Sequence, residues 1–202
     1  MIEDLARVAQ RNVSRETFEK ICRYVTLLGE ENKRQNLVSA ATLEQVWDRH
    51  VLDSAQLVRF EPYAGASWVD IGSGAGLPGI VIACLVEGRV TLVEPRRLRA
   101  EFLHNVGESL NLDIVVLRAK AERVQGSYDV ITARAVAPLA QLLEISAHLS
   151  TRNTVWALPK GHSAERELVE ARKSWQGSFH LEPSVTDATS SIVVGTGVRV
   201  ER

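Results

Sequence analysis

The sequence predicts an α/β fold in which a doubly wound, mostly parallel sheet follows a helical N-terminal extension. Apolar residues recur at helical spacing before residue 62, and short β-rich runs alternate with helical stretches after it. A glycine-rich segment directly follows the first β-rich run. We therefore expect a helical extension over residues 1–62 and a sheet domain over residues 63–202.

Length and composition fit an ordinary globular protein. The chain has 202 residues, of which 45% are hydrophobic and 24% charged. That length suits one domain, or one domain with a small appendage. The formal net charge of −1 argues against a dedicated nucleic-acid binder, although a local basic patch can act when the net charge is near zero.

Three helices are predicted in the extension. The first contains Leu5, Val8 and Ala9, and the second opens at Ser14 and Thr17. A third is expected to begin at Thr42, which has the chemistry of a helix cap. The apolar residues that define the second and third helices are Phe18, Ile21, Tyr24, Val25, Leu28, Val46, Trp47, Val51, Leu52 and Ala55.

Seven strands are predicted after the extension. Five alternate with helices and should be parallel, because strand–helix alternation forms such sheets. The last two have no helix between them, which predicts a terminal hairpin with one antiparallel strand. The predicted strands are Ser67–Ile71, Val90–Glu94, Ile114–Leu117, Val130–Ala133, Thr154–Leu158, Ser178–Pro183 and Ser191–Val200.

The loop after the first strand carries the strongest functional signal. It contains Gly72, Gly74, Gly76 and Gly79, with Asp70 at the end of the strand. Glycines let the chain turn tightly and let a ligand approach the backbone, and the free N–H groups of a helix start face that ligand. The spacing also fits the dinucleotide pattern G-x-G-x-x-G, a weak signal by itself.

One acidic residue favours one ligand over the other, and a second supports a nucleoside ligand of either kind. The carboxylate of Asp70 suits a cationic ligand such as S-adenosylmethionine, whereas it would repel the pyrophosphate of a dinucleotide. Glu94 ends the second strand about 20 residues downstream, where a carboxylate accepts hydrogen bonds from ribose hydroxyls. The methyl donor is therefore favoured over a nicotinamide or flavin cofactor.

Five segments in this order resemble the family of ribosomal small-subunit methyltransferase G, also called the glucose-inhibited division protein B family. The resemblance runs from about residue 20 to the C-terminus. The glycine-rich segment alone indicates only the methyltransferase superfamily, and the order of all five is more specific. They are Asn36-Leu37-Val38-Ser39, Arg49-His50-Val51-Leu52-Asp53-Ser54, Asp70 to Ile80, Ala133-Arg134-Ala135 and Leu158-Pro159-Lys160-Gly161.

The resemblance implies a fold and a reaction. The fold is a Rossmann-like class I methyltransferase, which agrees with the sheet predicted above. The reaction transfers a methyl group from S-adenosylmethionine to N7 of a guanine in the 530 loop of 16S ribosomal RNA, guanine 527 in the family. The implied partner is 16S ribosomal RNA or the small ribosomal subunit, and not DNA.

The resemblance also implies which residues form the site. The methyl donor is expected to contact Asp70, Gly72, Gly74, Gly76, Leu77, Glu94, Ala121, Glu122 and Arg134. Arg134 and Lys160 are the catalytic candidates. Asn36, Arg49, His50 and Arg99 are candidates for RNA contact. Arg99 matches an arginine of the family, whereas Leu98 stands where the family often has lysine.

Each charged candidate also has a structural interpretation. Arg134 would alternatively form a salt bridge with an acid such as Asp129 or Glu122. Arg49 and Asp53 lie four residues apart on a predicted helix and would pair with each other. His50 alone would more often be a packing residue, and Lys160 a solvated loop lysine.

The chemistry of guanine N7 needs no catalytic base, because its lone pair is free at neutral pH. We therefore expect an in-line displacement governed by positioning. No metal is expected, since Cys22 and Cys84 fit no zinc spacing. No apolar segment is long enough to cross a bilayer and no signal core is present, so we expect a cytoplasmic protein without a membrane partner.

Basic residues cluster at several places and would give RNA phosphates a landing site if they surround the cleft. These clusters are Lys33-Arg34, Arg96-Arg97 with Arg99, Arg118 with Lys120 and Arg123, and Arg172-Lys173. Two other functions stay open: a small-molecule methyltransferase, which the near-neutral charge favours, and a non-catalytic RNA-binding module on the same fold.

Overall fold

A computed structural model describes residues 1–201, apart from the side chains of residues 40 and 41. Seven strands form a single sheet in this part of the chain. They are β1 (Trp68–Ile71), β2 (Val90–Val93), β3 (Ile114–Leu117), β4 (Tyr128–Ala133), β5 (Ser150–Gly161), β6 (Trp175–Pro183) and β7 (Ser191–Val200).

The strand order is β3-β2-β1-β4-β5-β7-β6. The first five strands pair in parallel, and β7 runs antiparallel between β5 and β6. The predicted doubly wound sheet and its antiparallel terminal strand are confirmed. Strands β5 and β6 both begin earlier than predicted, at Ser150 and Trp175.

Helices cover both faces of this sheet. The longer ones are α1 (Ile2–Ala9), α2 (Arg15–Gln35), α5 (Gly79–Leu85), α6 (Arg97–Leu110), α7 (Leu139–Ser146) and α8 (Ala164–Ala171). Shorter segments are α3 (Ala40–Leu43), α4 (Asp53–Ala55), a π-helical turn (Trp47–Leu52) and 3₁₀ turns at Gln56–Phe60, Ala121–Arg123 and Ala147–Leu149. None of the described helices is both long and apolar enough to span a bilayer.

Alternate residues of the parallel strands enter two separate cores. Trp68 of β1 points to the face covered by the extension, α5 and α6. Its neighbour Val69 points to the face covered by α7 and α8. All four residues of β1 are buried, as expected for a parallel strand covered on both sides.

The N-terminal extension shares the first of these cores with the sheet. Leu5, Ile21 and Leu28 are fully buried and lie in one cluster with Trp68 and Ile80. Helix α2 begins where predicted, because Ser14 Oγ accepts a hydrogen bond from the Thr17 N–H at 3.0 Å. The division of the chain near residue 62 stays a prediction.

The prediction of a third helix beginning at Thr42 was wrong. Ser39 caps the short α3 instead, since its Oγ accepts a hydrogen bond from the Thr42 N–H at 3.2 Å. The chain then passes through the π-helical turn, α4 and a 3₁₀ turn rather than one regular helix. The predicted apolar residues Val46, Val51, Leu52 and Ala55 are nevertheless buried together in the first core.

Candidate functional site

The glycine-rich loop joins β1 to α5 at the carboxyl edge of the sheet. Gly72, Gly74 and Gly76 have φ angles of +68°, +56° and +97°, which favour glycine. A Cβ on Gly76 would lie 2.6 Å from Ile80 Cγ1. The loop therefore needs glycine at position 76 for packing and leaves Gly74 more open, with no other atom closer than 3.7 Å to its Cβ position.

Asp70 supports this loop from inside. Its side chain is 1% exposed. Its Oδ2 accepts a hydrogen bond from the Gly79 N–H at 3.2 Å, and its Oδ1 accepts from the Thr132 hydroxyl at 3.1 Å. Burial raises the pKa of Asp70 to about 6. The carboxylate therefore holds the start of α5, and any effect on a cationic ligand is electrostatic.

Glu94 reaches across from the end of β2 to the same loop. Its Oε2 accepts from the Gly74 N–H at 3.0 Å, and its Oε1 accepts from the Arg96 N–H at 2.8 Å. The side chain is 3% exposed. Among the described residues no lysine or arginine side chain forms an ion pair with it, so this buried carboxylate is held by backbone donors.

Glu94 provides the test of whether these residues fit S-adenosylmethionine. Each carboxylate oxygen has two acceptor sites, so lone pairs remain for ribose hydroxyls. That role serves the ribose of either kind of nucleoside ligand, whereas the buried carboxylate of Asp70 suits a ligand that carries an ammonium and a sulfonium and opposes a pyrophosphate. The residues present fit the methyl donor, and the charge of Asp70 favours it over a dinucleotide.

The other residues expected to contact the donor differ in how far their side chains are buried. Leu77 is 5% exposed and packs in the first core, so its main chain rather than its side chain faces the loop surface. Ala121 is buried in the 3₁₀ turn that follows β3, and the adjacent Glu122 is exposed. Because β1, β2 and β3 are parallel neighbours, their carboxyl ends meet at one edge.

Arg134 follows β4 and lies in a polar cluster with two residues of the extension. Its Nη1 lies 2.9 Å from Nδ1 of His50 and 3.6 Å from Oδ2 of Asp53. The alternative of a salt bridge between Arg134 and an acid is thus present, but the partner is Asp53, and the named acids Asp129 and Glu122 were wrong. Asp129 binds the Ser67 N–H and hydroxyl instead. The predicted Arg49–Asp53 pair was also wrong, because Asp53 faces Arg134.

His50 is neutral at physiological pH in this cluster. Burial, followed by the charge of Arg134, lowers the pKa of His50 to about 4. Nδ1 therefore accepts a hydrogen bond from Arg134, and the proton lies on Nε2. That Nε2 is buried without a hydrogen-bond partner among the described residues. His50 is positioned to orient Arg134 and carries no charge of its own.

Lys160 bridges two loops near the end of β5. Its Nζ donates to the Ala137 carbonyl at 2.6 Å and lies 3.1 Å from Oε2 of Glu167. The side chain is 8% exposed, so the alternative of a solvated loop lysine was wrong. Glu167 also accepts from the Leu139 N–H at 2.8 Å, which fixes the loop after β4 to α8.

A cavity of about 550 Å³ lies beside this polar cluster. It occupies the carboxyl ends of β4 and β5, adjacent to the glycine-rich loop, because Val136 Cγ2 lies 2.7 Å from the Cβ position of Gly72. Ala135 has a φ of +57°, a strained conformation for a residue other than glycine. The lining residues include Asp53, Arg134, Ala135, Val136, Pro159, Lys160, Gly161, Glu167, Ser184, Ser190 and Ser191.

The remaining candidates for RNA contact lie toward the surface. Asn36 is exposed and ends α2 with a φ of +49°. Arg49 is exposed on the π-helical turn. Arg99 lies beside the glycine-rich loop, since its Nη1 is 3.7 Å from the Cβ position of Gly74. Among the described residues no group of three or more His, Cys, Asp or Glu could hold a metal.

Sequence reasoning missed two residues that shape this site. Tyr24 of α2 was counted only as an apolar helix residue, but its hydroxyl donates to the Ala75 carbonyl at 2.9 Å. Gln56, a fully buried residue, contacts the segment between β6 and β7. The signal for Gln56 was a polar residue within an otherwise apolar series, which indicates a buried side chain that needs hydrogen-bond partners.

The sheet order and the glycine-rich loop define a protein of the Rossmann-like methyltransferase class. A methyltransferase from Aquifex aeolicus described as SAM-dependent has the same fold, with a TM-score of 0.61 and 13% identity over 76% of this chain and 93% of that chain. The ribosomal protein L11 methylase of Lactobacillus delbrueckii has a TM-score of 0.58 and 13% identity, over 76% of this chain and 79% of that chain.

Sequence comparison assigns the chain within that class. Residues 17–191 match the GidB family, described as rRNA small subunit methyltransferase G, and the chain belongs to this family. Two similar relatives are named ribosomal RNA small subunit methyltransferase G. The protein of Sphingopyxis alaskensis is 48% identical over 91% of this chain and 80% of its own length. The protein of Zymomonas mobilis is 43% identical over 94% of this chain and 90% of its own length.

Proposed function

We propose that this chain transfers a methyl group from S-adenosylmethionine to small-subunit ribosomal RNA, at N7 of guanine 527 in the 530 loop of 16S RNA. One observation carries the proposal: the glycine-rich loop with Glu94 adjoins a cavity lined by Arg134, in a chain whose relatives bear the name of that enzyme. Such a substrate makes the protein a cytoplasmic enzyme.

In this proposal the carboxyl ends of β1, β2 and β3 hold the donor. Main-chain atoms of Gly72, Gly74 and Gly76 allow close approach, and Glu94 accepts from the ribose hydroxyls. The first turn after β3, at Ala121 and Glu122, borders the adenine. Asp70 contributes through its charge and through the shape it gives the loop.

The bound donor supplies an electrophilic methyl group on a sulfonium. The protein needs no base, because guanine N7 already carries a lone pair. His50 is suited to orientation rather than proton transfer, since its pKa of about 4 keeps it neutral and its Nδ1 accepts from Arg134. The chain therefore contributes alignment of donor and acceptor, which can lower a barrier by several kcal/mol.

Arg134 is the residue we assign to the acceptor base. A guanidinium has five N–H donors in a planar fork, and only Nη1 contacts His50 and Asp53. The remaining donors suit guanine O6 or a phosphate oxygen. Asp53 offsets the positive charge of Arg134, which would otherwise oppose the cation that forms on the methylated guanine.

The direct test is methyl transfer to small subunits and to extracted 16S RNA with labelled S-adenosylmethionine. We expect one modified guanine, located by chemical cleavage at N7-methylguanine followed by reverse transcription. Incorporation into neither substrate would overturn the RNA assignment and favour a small-molecule acceptor. Incorporation at another RNA position would contradict the choice of guanine 527 alone.

Arg134→Lys tests the role of the planar fork. It keeps the charge and removes the paired donors, so we expect turnover to fall by about tenfold or more, the loss that follows from one charged hydrogen bond. Donor affinity in calorimetry should stay close to that of the wild type. Arg152→Lys, an exposed arginine at the opposite end of the sheet, is the matched control.

A further inference from the structure

A buried side-chain network connects the extension to the segment between β6 and β7. Gln56 is fully buried in the 3₁₀ turn that ends the extension. Its side-chain carbonyl accepts from the Val185 N–H at 3.0 Å. Its amide nitrogen donates to Oγ of Ser184 at 3.1 Å and to Oδ1 of Asp53 at 2.7 Å. One side chain thus satisfies donors and acceptors on two distant parts of the chain.

Asp53 extends this network to Arg134. Its Oδ1 accepts from the Thr186 hydroxyl at 3.1 Å as well as from Gln56. Its other oxygen, Oδ2, lies 3.6 Å from Nη1 of Arg134. A single carboxylate therefore faces the β6–β7 segment with one oxygen and the guanidinium after β4 with the other.

The segment held in this way forms part of the cavity wall. Ser184 and Ser190 line the same cavity as Arg134. Residues 184–190 contain no helix or strand and close on themselves through the Ser184 N–H, which donates to the Ser190 carbonyl at 3.0 Å. The segment is the loop of the β6–β7 hairpin, and its hydrogen bonds with Gln56 and Asp53 connect this loop to the side of the cavity that holds Arg134.

We propose that Gln56 and Asp53 are positioning residues that set the acceptor cavity by fixing the 184–190 segment and Arg134 relative to each other. Both lie outside the donor seat at the ends of β1, β2 and β3. Loss of the contacts made by Gln56 and Asp53 should therefore impair methyl transfer to the RNA acceptor and leave donor binding unchanged. This inference rests on the proposed function, since the acceptor is the one proposed there.

The experiment compares Gln56→Met with the wild type. Methionine has a similar volume and lacks the amide, so Val185 and Ser184 lose their partner without a cavity being formed. Gln141→Met makes the same chemical change at an exposed position of α7 and serves as the control. Four quantities are measured: kcat and KM for small subunits, donor affinity by calorimetry, and the rate of hydrogen exchange over residues 184–190.

For Gln56→Met we expect kcat/KM for the subunit to fall by about tenfold, the effect of leaving one buried polar group unpaired. Donor affinity should stay within about twofold, since no donor contact is lost. Exchange should accelerate at residues 184–190 and stay unchanged at residues 72–79. Unchanged kcat/KM in the folded variant, or an equal loss of donor affinity, would overturn the positioning role.

Thr186→Val keeps the test decisive if Gln56→Met does not fold. It removes the hydroxyl that donates to Asp53 from a partly exposed position and preserves shape. We expect a smaller loss of kcat/KM in the same direction and normal donor affinity. If the wild type itself fails to methylate subunits, the proposed function falls. The rate of hydrogen exchange over residues 184–190 then tests independently whether Gln56 fixes this segment. An unchanged exchange rate in Gln56→Met would refute that role.

Discussion

At the scale of single residues, Gly74 is the position of the glycine-rich loop where we expect a substitution to affect donor binding most. Its N–H donates to Glu94, its φ is +56°, and its Cβ position is open. Aspartate tolerates this backbone region better than most residues. Gly74→Asp should therefore fold but add a carboxylate beside Glu94, where the ribose would dock.

We expect Gly74→Asp to abolish donor binding in calorimetry while its thermal unfolding stays cooperative. Gly65→Asp is the matched control, because Gly65 also has positive φ, at +82°, with no atom within 4 Å of its Cβ position. Normal donor affinity in folded Gly74→Asp would mean that the donor binds elsewhere.

Asp70 makes stability depend on pH. Burial raises the pKa of this carboxyl from 3.8 to about 6, so the folded protein binds the proton more tightly than the unfolded chain. Protonation therefore favours folding, and the contribution of Asp70 to stability decreases as pH rises from below 4 to above about 6. Asp70→Asn cannot titrate and should lack this decrease.

The free energy of unfolding of Asp70→Asn, relative to the wild type, should rise between pH 4 and pH 7 by at most about 3 kcal/mol, since one pKa unit corresponds to about 1.4 kcal/mol. Urea unfolding at both pH values measures this difference. Asp48→Asn, at an exposed position, is the control. Parallel stability profiles for the wild type and Asp70→Asn would contradict the raised pKa.

At the scale of elements, α2 supports the loop that seats the donor. The Tyr24 hydroxyl, fully buried, donates to the Ala75 carbonyl. A Cβ at the adjacent Gly76 would lie 3.2 Å from the same hydroxyl. The extension thus contacts the glycine-rich loop through α2 and the β6–β7 segment through Gln56, so it braces both halves of the site.

Tyr24→Phe tests the brace from α2. We expect it to lower the free energy of unfolding by about 1 kcal/mol and to weaken donor binding by up to about fivefold, because the Ala75 carbonyl loses a buried donor. Urea unfolding and calorimetry measure the two effects. Tyr128→Phe is the control, since the hydroxyl of Tyr128 makes no hydrogen bond within the described chain. Equal donor affinity in Tyr24→Phe and the wild type would limit the role of α2 to packing.

At the scale of the whole molecule, the net charge of −1 leaves RNA attraction to local basic residues. The end of α2 lies against the start of α6, since Gln35 donates to the Leu98 carbonyl at 3.0 Å. Two basic residues there, Arg34 and Arg97, form ion pairs within their own helices. Within the described chain Lys33 and Arg96 have no ion-pair partner, so they are available for phosphates.

Reversing both charges, in Lys33→Glu with Arg96→Glu, should weaken subunit binding. The slope of log affinity against log salt should become shallower by about 1 to 2, because each lost phosphate contact accounts for about 0.7 to 0.9. Filter binding over a range of salt concentrations gives the slope. The control reverses Arg7 and Arg15, exposed residues at the far end of the extension. An identical slope in both double variants would exclude this surface from RNA contact.

The sequence by itself determined the presence of seven strands, the parallel direction of the first five, the antiparallel terminal strand and the glycine-rich loop. These features are local: alternation of apolar runs and helical spacing act over neighbouring residues, and glycine permits a turn wherever it stands. The same local signal located Asp70 and Glu94 at adjacent strand ends. It did not give the direction of the Asp70 side chain, which packing turned inward to Gly79 and Thr132.

Only the tertiary structure decided which polar side chains meet. His50 and Arg134 are 84 residues apart, and Gln56 and Ser184 are 128 apart. No sequence pattern links such positions, because their distance is set by the order of strands and by the way the extension packs on the sheet. The structure divides the predicted third helix into short turns, from which Asp53 lines the cavity and Gln56 binds Ser184 of the cavity wall.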